Sequence, residues 1–356
     1  MKKPVQPGLF DWDERTDKLV SMGDPLERLN RVMDWELFRS DLQRVWEKER
    51  KSKAGAKPFD VVLMFKLLII QRCYGLSDEQ LEYQVRDRLS FMRFLGLRLE
   101  HRVPDARTVW TFKEALIRCD LMRVLFERFD AHLEARGLTA KAGQMVDATF
   151  VEVPRQHNSR EDNDTIKAGG LPATWEADDR AAKRRQKDTD ARWTKKNDQA
   201  YYGYKNHVNV DAGHKLIRAY IVTDASVHDS QVLDDVLATD GGVRPVYADS
   251  AYRSDEQETS LQQQGLRSEI HERAYRNTPL TEVQKANNRR KSSVRARVEH
   301  VFAAQEHMGG LFLRSIGMAR AELHIGLMNL TYNLKRLEQI IRLQISPHGV
   351  IASAAY

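Results

Sequence analysis

The stretch Gln144-Met-Val-Asp-Ala-Thr-Phe-Val-Glu-Val153 alternates apolar and polar side chains, which predicts a strand carrying Asp147. A second apolar run, Val243 to Ala248, is broken by Pro245 and leads into Asp249, then Ser250-Ala-Tyr-Arg-Ser254. Further on, Arg295-Ala-Arg-Val-Glu-His-Val-Phe302 has helical spacing and carries Glu299. Three carboxylates converging from two strand ends and a helix offer hard oxygen ligands to a pair of magnesium ions, with positions left for water and phosphate oxygens. That donor set points to metal-assisted phosphodiester cleavage or transfer. A chain with 51 Asp and Glu contains many such triples, so the neighbouring words must decide.

Those words are Val146-Asp-Ala-Thr149, Trp193-Thr-Lys-Lys196, Tyr202-Gly-Tyr-Lys-Asn-His207, Thr223-Asp-Ala-Ser-Val-His-Asp-Ser230, Ala248-Asp-Ser-Ala-Tyr-Arg-Ser254, Arg295 to Phe302, and Ile325-Gly-Leu-Met-Asn-Leu-Thr-Tyr-Asn333. Through them the chain resembles the transposases of bacterial insertion-sequence family five, within the DDE group. The resemblance implies an α/β fold: a ribonuclease-H-like mixed sheet flanked by helices, preceded by an all-α N-terminal DNA-binding region. It implies Asp147, Asp249 and Glu299 as catalytic metal ligands for two Mg²⁺ ions, with Mn²⁺ able to substitute. Asp147 would bridge both ions. It further implies double-stranded DNA as partner (terminal inverted repeats and target), a homodimer in the reacting complex, and no small-molecule substrate.

Arg295 occupies the arginine position of the family's motif around the catalytic glutamate, where its guanidinium suits a phosphate oxygen. Ser292 stands where the wider group has a tyrosine, and Glu306 where it has a lysine. A glutamate there repels phosphate; Arg314 and Arg320 are the available substitutes. From Lys285 to Val298 there are six basic residues (Lys285, Arg289, Arg290, Lys291, Arg295, Arg297) and no acid. Beside a phosphate-cutting site, such a run is expected to follow the DNA backbone. Tyr252 and Arg253, just after Asp249, are expected there too. His228 and Asp229 are candidates for orienting a metal ligand or its water, with helix capping by Asp229 as the alternative. Asn329 and Asn333 are expected as buried hydrogen-bonding positions.

The organisation reads as a polar arm over 1–24, a helical region over 25–140, a catalytic domain over 141–343, and a tail over 344–356. Pro58 opens one helix ending near Gly75, Ser77 is an N-cap for the next, and Pro104 begins another. Short helices between tight turns suit a helix-turn-helix type module or a plain helical bundle. On the first reading Arg102, Arg107 and Lys113 are phosphate contacts. In the catalytic part, strands over 202–210 and 215–222 form a hairpin, and helices start near Ser230 and Asp255. A strand follows near 266–271, then the helix of Glu299 and a long final helix over 317–343. The stretch 155–200 is nearly all polar, with eleven Lys and Arg and nine acids. It is expected as a loop, either a lid touching DNA or a passive insertion.

With 57 Lys and Arg against 51 acids, the mildly basic balance permits nucleic-acid binding without requiring it. The two cysteines, Cys73 and Cys119, lie in apolar helical patterns and argue against a disulfide or zinc site. The most apolar stretch, Val61 to Ile70, is too short for a bilayer, and residues 1–20 are polar. A cytoplasmic bacterial protein is expected, on the nucleoid when bound to DNA. Other classes kept open are a DNA-binding protein derived from a transposase with its chemistry lost, and a ribonuclease-H-like nuclease that cuts without joining.

Overall fold

The structure, a computed structural model, describes residues 11–47, 57–138, 142–175, 184–196, 198–237, 244–275, 278–346 and 349–350. The chain divides into two compact units, residues 1–132 with 330–356, and residues 133–329.

The first unit is helical: α1 (Asp11–Ser21), α2 (Pro25–Val32), α3 (Arg39–Gln43), α4 (Val61–Tyr74), α5 (Asp78–Asp87), α6 (Leu89–Leu95), α7 (Ala106–Arg118) and most of α8 (Leu121–Ala135). The stretch expected as an arm therefore contains a helix. Arg93 explains it, donating to the Thr16 carbonyl at 2.8 Å and pairing with Asp24 at 2.9 Å, so α1 is docked by contacts distant in sequence. α4 starts where the Asp60 carboxylate accepts from the Val62 and Leu63 amides, and stops at Gly75 in the left-handed region. Ser77 and Gln80 form a reciprocal capping box at the start of α5. Phe38 and Phe65 meet at 4.9 Å between ring centres, and Trp35 and Phe94 edge-on at 5.5 Å, forming an aromatic core.

In the second unit, β1 (Gln144–Glu152) is central. After it come α9 (Arg160–Lys167), β2 (Arg192–Lys196), β3 (Gln199–Asp211), β4 (Ile217–Asp224), α10 (Leu233–Val236), β5 (Pro245–Tyr247), α11 (Asp255–Gln263), β6 (Arg267–Ser268), α12 (Glu282–Arg295), α13 (Glu299–His307) and α14 (Met318–Leu343). Residues of α14 from Leu330 onward belong to the first unit. β3 runs antiparallel to β1 in unbroken register from Gln144↔Asp211 to Glu152↔Gly203, and β4 is antiparallel to β3. β5 lies parallel to β1, and β6 parallel to β5. The order β4-β3-β1-β5-β6, three antiparallel strands followed by two parallel ones, is the ribonuclease-H-like mixed sheet. β2 is an addition, pairing with Gln199 to Gly203 of β3.

Alternation along β1 divides its side chains between two faces. Val146 packs with Leu233, Val236, Val246, Ala248, Tyr252 and Leu261. Asp147 points to the other face. On that face Asn206 exchanges hydrogen bonds with Asn329, and Gln305 donates to Asn329 as well. Asn329 and Asn333 are both fully buried.

The stretch expected as a loop is ordered at two places, one by a local cap and one by an anchor distant in sequence. Ser159 and Asp162 cap α9 reciprocally. The buried Asp188 carboxylate accepts from the Tyr204 hydroxyl at 2.9 Å and from the Ala191 and Gly317 amides, which sets β2 on the sheet. The helix expected near Ser230 is a 3₁₀ turn, Asp229–Val232, followed by α10. The strand expected over 266–271 is only two residues long. Backbone bonds from the Glu269 and His271 amides to the Val246 and Ala248 carbonyls continue its pairing. Of the tail, residues 347–348 and 351–356 lie outside the described residues.

Candidate active site

Asp147 sits at the centre of the sheet with only 6 % of its surface exposed. Its Oδ1 accepts from the Ala148 amide at 2.9 Å, and its Oδ2 accepts from the Arg295 guanidinium at 2.5 Å. Burial pushes its pKa up to about 6; Arg295 and the Ala148 amide oppose the rise, while the charges of Asp249 and Glu299 add to it. Asp249 and Glu299, about 100 and 150 residues further along the chain, thus both act on Asp147 in the fold. Asp249 follows β5, half-buried, and caps the 3₁₀ turn Ser250–Tyr252 by accepting from the Ala251 amide at 2.8 Å. Glu299 is exposed and is the first residue of α13.

Arg295 and Glu299 were expected on one helix. Instead α12 ends on Arg295 and α13 begins on Glu299, with a turn over 296–298. The break turns Arg295 toward Asp147 rather than toward Glu299 one turn later.

The donor set suits a divalent cation, since all three groups are oxygen anions and Asp147 already holds a positive group. Among the described residues, however, no three His, Cys, Asp or Glu side chains stand close enough to coordinate one ion together. With Arg295 on Asp147, the carboxylates are electrostatic neighbours rather than a closed ligand cage.

The unfolded chain gives up an aspartate proton near pH 3.8 and the folded one near pH 6, so ionising Asp147 costs stability that falls away between those values and is fully lost above pH 6. Asp147→Asn is expected to stabilise the metal-free protein by about 1–3 kcal/mol at pH 8, part of the roughly 1.4 kcal/mol per pH unit being returned by the unpaired Arg295. The gain should shrink as pH falls from about 6 and vanish near 4, read as the difference in Tm between variant and wild type.

Other expected contacts sort differently. Tyr252 is fully buried and cannot reach a DNA backbone. Its hydroxyl has no hydrogen-bond partner among the described residues, and burial beside Asp229, Asp147 and Asp249 keeps it protonated. Arg253 pairs with Glu272 at 2.5 Å. In the basic run, Lys291 is buried, donating to the Ile270 carbonyl at 2.7 Å and to Glu272. Arg290 pairs with Glu269, Lys285 with Glu282, and Arg297 donates to the Ala212 carbonyl. Arg289 is exposed. Arg290, Lys291 and Arg297 are thus pinned to their own domain by partners distant in sequence, while Lys285 pairs one turn back on its own helix. In the first unit Lys113 is tied to Asp78 at 2.5 Å, and Arg102 lies over the Phe59 ring. Arg107 is exposed on α7.

His228, not Asp229, caps the turn that follows, its Nδ1 facing the Ser230 amide. Asp229 instead accepts from Lys205 at 2.9 Å. Its neighbour His207 is fully buried, and burial lowers its pKa to about 4, Asp229 opposing and Lys205 reinforcing. Sequence reasoning missed His271. Its Nε2 meets the Ser292 hydroxyl at 3.2 Å, and burial and the Arg295 charge lower its pKa while Asp249 opposes. Ser292, the departure from the family's tyrosine, therefore contacts a residue beside the site. Glu306 and Arg314 are exposed, and Arg320 donates to the Ile316 carbonyl.

Among the described residues no helix is long and apolar enough to cross a membrane. The family model described as "Transposase DDE domain" matches residues 139–334, and that described as "Transposase domain (DUF772)" matches residues 14–115. A solved piggyBac transposase synaptic complex with hairpin DNA is similar at 12 % identity and a TM-score of 0.42, over 90 % of this chain and 80 % of that one. With the first of these models spanning more than half of its length, this chain belongs to the transposase DDE domain family.

Proposed function

We propose that the chain is a transposase of insertion-sequence family five. It would cut DNA at the ends of its own element and join the freed 3′-hydroxyl to target DNA, using Asp147, Asp249 and Glu299 with Mg²⁺. The observation that carries this reading is the buried Asp147, whose carboxyl feels both of the other two carboxylates. Bound by these oxygens, a pair of divalent ions supplies activation of the attacking oxygen and charge relief at the leaving one. The chain's own part is to hold Asp147 rigidly on the central strand, to keep Asp249 at a capped strand end, and to aim Arg295. Arg295 leaves Asp147 for a phosphate oxygen when DNA arrives, an exchange of one anionic partner for another. The freed Asp147 carboxylate, with Asp249 and Glu299, would then hold the divalent ions, whose positive charge offsets the repulsion among the three anions.

The helical first unit, with Arg107 exposed on α7, is assigned to end binding. Two element ends brought together call for a homodimer in the reacting complex. A cytoplasmic setting, on the nucleoid, accords with these partners.

A single assay tests the reading: labelled element ends with matched inverted repeats, a target plasmid, and Mg²⁺ or Mn²⁺. Joined product is the expected result. Cutting without joining would make the chain a nuclease, and binding without cutting a DNA-binding protein that has lost its chemistry.

A further inference from the structure

β2 and the first residues of β3 form a ribbon whose solvent side is aromatic and basic. Trp193 is 42 % exposed, although a large apolar ring is usually covered. It rests at 4.8 Å on Tyr202, its register partner, and the Arg155 guanidinium lies 5.8 Å from its centre. Tyr202 is itself buried, its hydroxyl donating to the Asp188 carbonyl, so the indole stands on a fixed base. Lys195, two residues on and so on the same face as Trp193, is exposed, whereas Lys196 points to the opposite face, over the Phe150 ring. Lys195 pairs with Asp198 across open solvent, a contact worth little.

The ribbon's position relates it to the carboxylates. The Val153 amide donates to the Tyr202 carbonyl, extending the β1–β3 register. Trp193, Tyr202, Val153 and Asp147 therefore share one face. Six residues along a strand place Trp193 about 20 Å from Asp147, the length of about six steps of a DNA strand.

We propose that this ribbon is a second DNA contact, on which an unpaired base stacks against Trp193 while Arg155 and Lys195 face the flanking phosphates. An intact duplex presents sugar and phosphate to such a surface, for which lysines suffice and an indole adds nothing. A base offers its ring face only when it is out of the helix, and aromatic rings beside cations are what hold it. The inference rests on the reading of the chain as acting on DNA, and its test separates the two.

Anisotropy would measure Kd for a labelled oligo-dT strand and for a blunt mixed-sequence duplex of equal length, at one salt concentration. Full-length wild type, Trp193→Ala and Trp193→Phe are compared, with thermal unfolding to check that each is folded. Trp193→Ala should weaken oligo-dT binding about 5- to 150-fold, the range for one stacked base, and duplex binding less than about twofold. Trp193→Phe should keep most of the oligo-dT affinity. Unchanged oligo-dT binding in Trp193→Ala, or equal losses on both DNAs, would overturn the stacking assignment. Wild type that binds duplex but not oligo-dT would remove the platform and leave the transposase reading standing. Wild type that binds neither would remove both.

Discussion

Replacing Asp147 by Asn, Asp249 by Asn or Glu299 by Gln should each lower cleavage of element ends by at least about 10²- to 10³-fold, the scale seen for one preorganised electrostatic group, while end binding stays measurable. Each substitution keeps the side chain's shape and removes one negative charge. If the three act as a unit, any one loss should cost nearly as much as all three, so the double variants should add little. The binding arm matters because these positions are structurally unequal: Asp147 is buried on the central strand, Asp249 caps a turn, and Glu299 is exposed. Single-turnover cleavage of a labelled end, beside a gel-shift titration of the same DNA, separates chemistry from affinity. Full cleavage by any one variant would strike that residue from the site. Lost binding in all three would mean that the substitutions disturb the fold instead.

Gly203→Ala should destabilise the protein by about 3 kcal/mol, the upper end for forcing an atom into a packed place. Gly203 lies where three strands meet: it is opposite Glu152 of β1 and Arg192 of β2, and its carbonyl accepts from the Ala225 amide. A methyl group there would stand 2.3 Å from the Val151 carbonyl oxygen and 3.1 Å from the Glu152 Cα. Both obstacles are backbone, so no rotamer change relieves them. The residue also has φ of 150°, which side chains with a β-carbon rarely adopt. Chemical denaturation would show a lower midpoint with an unchanged slope. A midpoint equal to wild type would mean that β1 and β3 part more easily than their register suggests.

Much of the fold could be read from local pattern. β1, β3 and β4 alternate cleanly, and α4, α5 and α14 have strong apolar spacing or caps, so each declares itself within a short window. Asp147, Asp249 and Glu299 could be picked out because their flanking words resemble a known family. What escaped reading depends on distant partners. β2 looks like solvated chain until Asp188 is seen accepting from Tyr204, sixteen residues on. The basic run looked free because Glu269 and Glu272, which neutralise Arg290 and Lys291, lie about twenty residues earlier, in the segment after β6. Tyr252 carries a polar atom, yet its ring fills the core between β5 and α11. The turn between Arg295 and Glu299 has no glycine or proline to announce it. The pull of Asp147 on Arg295, 148 positions away, is invisible to any window.

Asp188 joins parts of the domain that are far apart in the chain. Because one buried carboxylate clamps both β3 and the approach to α14, the far end of the inserted segment is fixed at a single point, and losing that carboxylate would loosen both attachments at once.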